Sequence, residues 1–199
     1  MCKYPSGSIN RKFRTRMKYV FDPEVLIKAA GAGIGQPHPQ LFDAIRNELE
    51  QHYPGKINGE DRWLFNNAGG AMGMLNILYA SLSEYLIFFG SPTGTAGHSG
   101  RYHFVEDYAI VIDGEFWYAD EGQTTRTIYR PGDVCRLPRG EIRHYRIPDN
   151  GWILEYARGY IPTMLPFGMI EILSSTLDWR QAVRTMTVYG RHVIGNLLR

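Results

Sequence analysis

At 199 residues and 44% hydrophobic content, the chain is long enough for one ordinary core, because a domain of this size hides most of the surface its unfolded chain exposes. A formal charge of +2 is too small to argue for a nucleic-acid partner. No run of about 18 apolar residues occurs and the N-terminus lacks the apolar centre of a secretory signal, so neither a transmembrane helix nor a signal peptide is expected, and any meeting with a membrane is from its surface.

The charge is unevenly spread. Residues 1–18 hold Lys3, Arg11, Lys12, Arg14, Arg16 and Lys18 with no acid, which reads as a solvated arm in preference to a contact with anionic lipid. Cys2 and Cys135 form neither a metal pair nor a disulfide framework, so nothing marks an oxidising compartment. From Phe21 to His52 the pattern is helical. Asp22 is placed to cap a first helix with Pro23 at its first position, and Leu41, Phe42, Ile45 and Leu49 recur at helical spacing in a second. Gly31, Gly33 and Gly35 separate the two. The segment "RWLFNNAGGAMGMLNILYASLSEYLIFFG" is apolar enough for a helix or for buried strands, and periodicity does not choose between them.

Between Gly97 and Gly159 short strands alternate with Asp-Gly, Pro-Gly and Asn-Gly turns, the pattern of an antiparallel barrel or sandwich. "IDGEF" resembles the hairpin glycine of cupins, and Gly132, Pro138 and Gly140 have the G-x5-P-x-G spacing of the second cupin motif. The expected architecture is therefore mainly β, a cupin-like antiparallel β-barrel or jelly roll over about residues 60–160, flanked by N-terminal helices and two C-terminal amphipathic helices, as one domain over 19–199. In the last of these helices, capped by Thr176 or Asp178, Trp179, Val183, Met186, Val193 and Leu197 lie roughly on one face and Arg180, Arg184 and Arg191 elsewhere. Packing on the barrel and lying in a membrane interface are both open to such a helix.

Many cupins hold a metal, but this sequence departs from the ligand pattern. His103 is followed by Glu106 without an H-x-H pair, and His144 stands four residues after Gly140 where three are needed. A slip of one residue turns a strand side chain to the other face. No metal is expected.

The carboxylates are more telling. In an extended "HFVEDYAIVI" strand, Asp107, Ala109 and Val111 share one face and Glu106, Tyr108 and Ile110 the other, so either Glu106 or Asp107 points inward. Glu155 stands in the apolar strand "WILEYARG" and is able to face the same interior. Two acids in one apolar cavity do not both ionise cheaply; one should hold a proton and hydrogen-bond the other, which puts a proton donor and an acceptor in one place. The bland alternative is that Glu155 pairs with Arg158 on a solvated edge.

The blocks "FNNAGGAMGM", "ASLSEYLIFFG", "GHSGRYHFVEDY", "YRPGD" and "LEYARGYIPTMLPFG" resemble, in this order and from about Tyr19 onward, the family of fungal C-8 sterol isomerases and animal sigma non-opioid receptors. The resemblance implies a cupin-like barrel capped by C-terminal helices that lie against a membrane, peripheral attachment (at the endoplasmic reticulum in a eukaryote), and a homotrimer. It assigns Glu155 to the glutamate that meets the cationic amine of receptor ligands and that isomerases need. Tyr85 matches the tyrosine that hydrogen-bonds this glutamate, and Leu75, Ile77, Ile87, Phe89, Leu165, Gly168 and Tyr189 match substrate-pocket positions. The receptor's aspartate aligns with Ala109, whereas the isomerases carry an acidic pair before a tyrosine, as "EDY" here does; this favours the isomerase branch and makes Asp107 and Glu106 the candidate partners of Glu155. Ala71 stands where a tryptophan is expected, and no segment answers to the receptor's N-terminal membrane helix. The implied chemistry moves a sterol ring double bond by protonation and deprotonation with no redox cofactor and no metal. The alternative is a binding protein for cationic amphiphiles or lipids without turnover.

Overall fold

A computed structural model describes residues 19–198, and the basic arm lies outside them. The first helix, α1 (Pro23–Ala30), starts as its sequence dictates: the Asp22 carboxylate accepts from the Glu24 N–H and Pro23 fills the first turn, where its missing donor costs nothing. After α2 (Gln40–His52) come ten strands: β1 (Trp63–Ala68), β2 (Ala71–Ala80), β3 (Glu84–Ser91), β4 (Thr95–His98), β5 (Val105–Gly114), β6 (Phe116–Asp120), β7 (Thr127–Tyr129), β8 (Val134–Leu137), β9 (Arg143–Ile147) and β10 (Gly151–Gly159). A 3₁₀ turn (Ile161–Met164) then leads into α3 (Leu165–Ser174) and α4 (Trp179–Leu197).

The strands form two antiparallel sheets, one ordered β1-β2-β3-β10-β5-β8 and the other β4-β9-β6-β7. The architecture is thus mainly β and cupin-like, but the sheets face each other and do not close into a barrel. The segment of open helix-or-strand character is β1, β2 and β3. In β3 and the second half of β2 the apolar run carries no alternation because both faces are covered, as for any strand buried on both sides, while Phe65 and Met72 near the β1–β2 hairpin are exposed. Gly114, in the "IDGEF" hairpin, has φ +70 and lies so close to the Asn150 carbonyl that a Cβ there has no room.

The six-stranded sheet is the middle layer. On its outer face α1 and α2 lay Leu26, Leu41, Phe42, Ile45 and Leu49 onto Phe88, Ile110, Leu154 and Tyr156. Each such side chain fully removed from water contributes about 1.5–3 kcal/mol. On its inner face Phe89, Val111 and Ile153 meet Phe116, Tyr118 and Ile147 of the smaller sheet. The open end between the sheets is capped by α3 and α4, with Val188 and Val193 packed near Leu64, Ile77 and Ala80, and Ile161 and Met164 against Val105 and Ala157.

Asp178 caps α4 through the Gln181 N–H. The helix presents three faces. Ala182, Val188 and Val193 are buried; Trp179, Val183, Met186, Ile194 and Leu197 are exposed; and Arg180, Arg184 and Arg191 lie beside the exposed apolar stripe. Val193 lies at the edge of the stripe that the sequence pattern gave it, about 40° from Trp179 and next to the buried Ala182 at 100° per residue, and that edge is the one covered by the sheet. Among the described residues no helix is long and apolar enough to cross a membrane.

Candidate functional site

The pairing of three strands builds the site. Strand β10 runs between β3 and β5, with Ala157 opposite both Tyr85 and Asp107 and Glu155 opposite both Ile87 and Ala109. Since side chains alternate faces, these two rows point the same way. Tyr85 and Asp107 are thus the diagonal neighbours of Glu155, one on each side, near enough for long side chains to meet. Between them stands only the methyl of Ala157, which leaves space above the strand.

The intervening rows point outward. Arg158 lies opposite Glu84 and Glu106, and Tyr156 opposite Leu86 and Tyr108. Glu106 takes hydrogen bonds from Arg158 Nε at 2.6 Å and Arg136 Nη2 at 2.6 Å, and Arg158 also donates to the Tyr108 hydroxyl at 2.9 Å. Burial pulls the Glu106 carboxyl up, but the two guanidinium groups outweigh it and hold it below the usual range. Of the two acids in "VED", Asp107 is the inward one. Glu106, the other candidate for the catalytic pair, belongs to an ion cluster on the opposite face. Arg158 is the partner of Glu106, so the alternative pairing of Arg158 with Glu155 does not occur.

Inside, the Tyr85 hydroxyl donates a hydrogen bond to Glu155 Oε1. The Glu155 partner is therefore a phenol; the sequence expectation of a proton shared directly between the two acids gives way to this bond. Asp107 Oδ1 is buried and has no hydrogen-bond partner. Burial, and after it the charge of Glu155, push the Asp107 carboxyl well above its ordinary value. Burial also raises Glu155, opposed by the bond from Tyr85. Only one negative charge is cheaply held, and the donor on Glu155 places it there, leaving Asp107 with the proton. Burial, with the carboxylates beside it, keeps the Tyr85 phenol protonated.

Both acids open into an apolar cavity of about 210 Å³ between the sheets and the C-terminal helices. Leu75, Ile77, Ile87 and Phe89 line it from β2 and β3, Leu165 and Gly168 from α3, and Tyr189 from α4, so every substrate-pocket position named from the family resemblance reaches it, whereas Glu106 does not. Sequence reasoning missed Tyr102, Phe116, Tyr118, Tyr145 and Phe167. For Phe116, Tyr118 and Tyr145 the signal was the alternation within "FWY" and "RHYRI", but only the facing of the sheets says which side is inward. Phe167 packs onto Gly69, where a Cβ would collide with its ring, and Glu171 accepts from the Gly70 N–H at 2.9 Å, so α3 is fastened over the cavity at the β1–β2 hairpin. Ala71 is fully buried against the backbone at Gly97 and is not part of the lining.

The donor set does not fit a metal. Among the described residues no cluster of three or more His, Cys, Asp or Glu is placed to share one. His103 and His144 are exposed, and His98, which reaches the cavity, already accepts from the Gly100 N–H through Nδ1 at 2.9 Å. Cys135, also in the lining, accepts from Arg143 at 2.8 Å, and burial pushes its thiol up to about 11.

Known proteins share this arrangement of sequence. The C-8 sterol isomerase erg2 of Aspergillus fumigatus is 42% identical over 190 residues, covering 94% of this chain and 79% of that protein. The sigma non-opioid intracellular receptor 1 of Danio rerio is 38% identical over 186 residues, covering 92% and 83%. Among solved structures, KdgF from Halomonas sp. superposes with a TM-score of 0.44 at 17% identity, over 55% of this chain and 97% of that one. A family model described as "ERG2 and Sigma1 receptor like protein" matches residues 6–199, a span that includes the Tyr85, Asp107 and Glu155 strands and both capping helices; the chain belongs to the family of ERG2 and Sigma1 receptor like proteins.

Proposed function

We propose that the protein is an isomerase that moves a ring double bond of a sterol or related polycyclic lipid from the eight- to the seven-position. The observation that carries this reading is the pair of carboxyl groups in one apolar cavity, Glu155 accepting from a phenol and Asp107 with an unpartnered buried oxygen and raised well above its ordinary value by burial and by Glu155. Asp107 delivers its proton to one alkene carbon, and the π pair becomes the new C–H bond. A tertiary cation remains on the other carbon. Glu155 removes a proton from the ring carbon next to the cation, and that C–H pair becomes the new double bond. One proton enters and one leaves, so the balance needs no electron acceptor; once product has left, Glu155 releases its proton to water and Asp107 takes one from water, which resets the site. The Glu155 charge lowers the energy of the cation in a cavity that excludes water. The fungal relatives named C-8 sterol isomerase support the substrate class.

We infer further that the protein sits on a membrane surface through the exposed stripe of α4 and the exposed Ile170 and Leu177, since a helix with an apolar edge beside arginines suits the interface. The homotrimer implied by family resemblance is tested by mass measurement in detergent. Incubation of purified protein with a C-8-unsaturated sterol tests the enzyme reading: the shifted alkene is expected. Tight binding of a hydrophobic amine without product, where a fungal isomerase turns over, supports a binding protein of the receptor kind instead.

A further inference from the structure

Three polar side chains of α4 reach the chain beneath it from one face of the helix, at spacings of three and four residues. The Tyr189 hydroxyl donates to the Ser81 carbonyl at 3.3 Å, Asn196 Nδ2 donates to the Ala80 carbonyl at 2.9 Å, and between them His192 Nε2 meets Asn58 Nδ2 at 3.3 Å. The first two contacts do not change with pH near neutrality, since burial raises the Tyr189 phenol and an amide does not titrate. The third does change.

Asn58 is fixed on three sides. Its backbone N–H donates to the Leu78 carbonyl at 2.8 Å, its Nδ2 donates to the Ile77 carbonyl at 3.0 Å, and its Oδ1 accepts from the Glu60 N–H at 3.1 Å. Turning the amide over would lose both side-chain bonds. Nδ2 therefore offers its second hydrogen to His192, and Nε2 must accept it. An accepting Nε2 belongs to the neutral ring with its proton on Nδ1, whereas a protonated ring sets one N–H against another. The surroundings act in the same direction. Burial lowers the His192 pKa, Glu60 opposes this and Arg62 adds to it. Glu60 and Arg62 stand 3.4 Å apart on the segment leading into β1. Neither β1 nor β2 carries a charged residue, Arg191 beside His192 on α4 is exposed, and the one acid of α3, Glu171, is held at the Gly70 N–H.

We propose that His192 is an acid-released latch on the cover of the cavity: as a neutral ring it ties the last turns of α4 to β2 through Asn58, and on taking a proton it lets those turns go. Tyr189, one turn earlier, lines the cavity, so the lining loosens with the helix. The latch does not depend on what occupies the cavity or on the reaction there. A ring freed by opening binds its proton near the ordinary 6.5, more tightly than the closed form does. The advantage of the closed form is therefore complete above 6.5 and falls as pH drops below it.

Hydrogen exchange on the full chain, corrected for the intrinsic effect of pH, reads residues 188–197 against α2. From about pH 7.5 to about pH 5.5, opening of this segment rises several-fold, to at most about tenfold, and more than that of α2. His192→Gln offers Oε1 to Asn58 and does not titrate, so in that variant the segment opens equally at both pH values. No rise in the unaltered protein, or the same rise in His192→Gln, overturns the latch. Thermal melting confirms that the variant is folded. If it is not, nitrogen NMR of the imidazole in the unaltered protein decides: a proton on Nδ1 and a midpoint below 6.5 are expected, and a proton on Nε2 or a midpoint at or above 6.5 overturns the proposal.

Discussion

Tyr85 and Asp107 stand level with each other on the inner face of the large sheet, both opposite Ala157, and so flank Glu155 from its two sides. One flank gives Glu155 a hydrogen-bond donor and the other a buried acid with an unpartnered oxygen. This asymmetry is what makes two similar carboxyl groups unlike, and the predictions follow from it.

Tyr85→Phe removes the donor that opposes burial at Glu155. The Glu155 carboxyl then rises further and competes with Asp107 for the proton. A loss of about 1–3 kcal/mol of stabilisation of the charged form is about a 5- to 160-fold fall in kcat, with the acid limb of the pH profile, which needs Glu155 ionised, displaced to higher pH. Steady-state rates across pH check this, and an unchanged profile contradicts it.

Asp107 titrates far above its ordinary 3.8 in the folded protein. A raised carboxyl binds its proton more tightly folded than unfolded. Its stabilising effect is full below the unfolded value near 3.8 and is lost as pH rises toward the folded value. Asp107→Asn removes this loss, so the variant gains Tm relative to the unaltered protein as pH rises, while turnover falls by about 10²–10⁴-fold for want of the acid. Parallel melts at acid and alkaline pH are the measurement; a difference independent of pH contradicts the assignment.

Glu106→Gln separates the neighbouring acids. Glu106 holds Arg136 and Arg158 on the far face of the sheet, and its side chain is only 13% exposed. Neutralising it leaves Arg158 with a weakened partner and costs about 1–3 kcal/mol of stability, but kcat stays within about twofold because the side chain does not reach the cavity. A denaturant titration beside an activity assay reads both. A collapse of kcat in a folded variant contradicts the orientation found for this strand.

These contrasts show what the sequence carried and what it did not. The Asp22 cap, the helical spacing of Leu41, Ile45 and Leu49, and the apolar strand around Glu155 were legible because they are local patterns. The family blocks brought Tyr85 and the pocket positions from Leu75 to Tyr189. Alternation placed Glu106 and Asp107 on opposite faces but not which face was inward, because that depends on pairing with β10, a strand roughly fifty residues away in the chain. Strands β1 to β3 were ambiguous because helices cover one face and the cavity and α4 the other, which erases the period. Tyr118 and Tyr145 were missed since their approach to Glu155 crosses from one sheet to the other.

The exposed stripe of α4 gives a surface prediction. Trp179→Ser with Val183→Asp removes two of its large apolar residues, each more than 60% exposed, and adds an anion. Binding to vesicles containing anionic lipid should fall at least tenfold without loss of Tm. Salt should weaken the unaltered protein's binding as well, because arginines near the surface contribute about 1 kcal/mol each. Cosedimentation at two salt concentrations measures both effects.

The central claim is that Asp107 and Glu155 move a double bond by adding one proton and removing another. Its most direct test is turnover of a C-8-unsaturated sterol in deuterium oxide, with mass and NMR analysis of the product. The account predicts the alkene shifted to the seven-position with one deuteron on the ring carbon that was protonated, and neither shift nor label with Glu155→Gln. A shifted product without deuterium, or no product under conditions where a fungal isomerase is active, would contradict it.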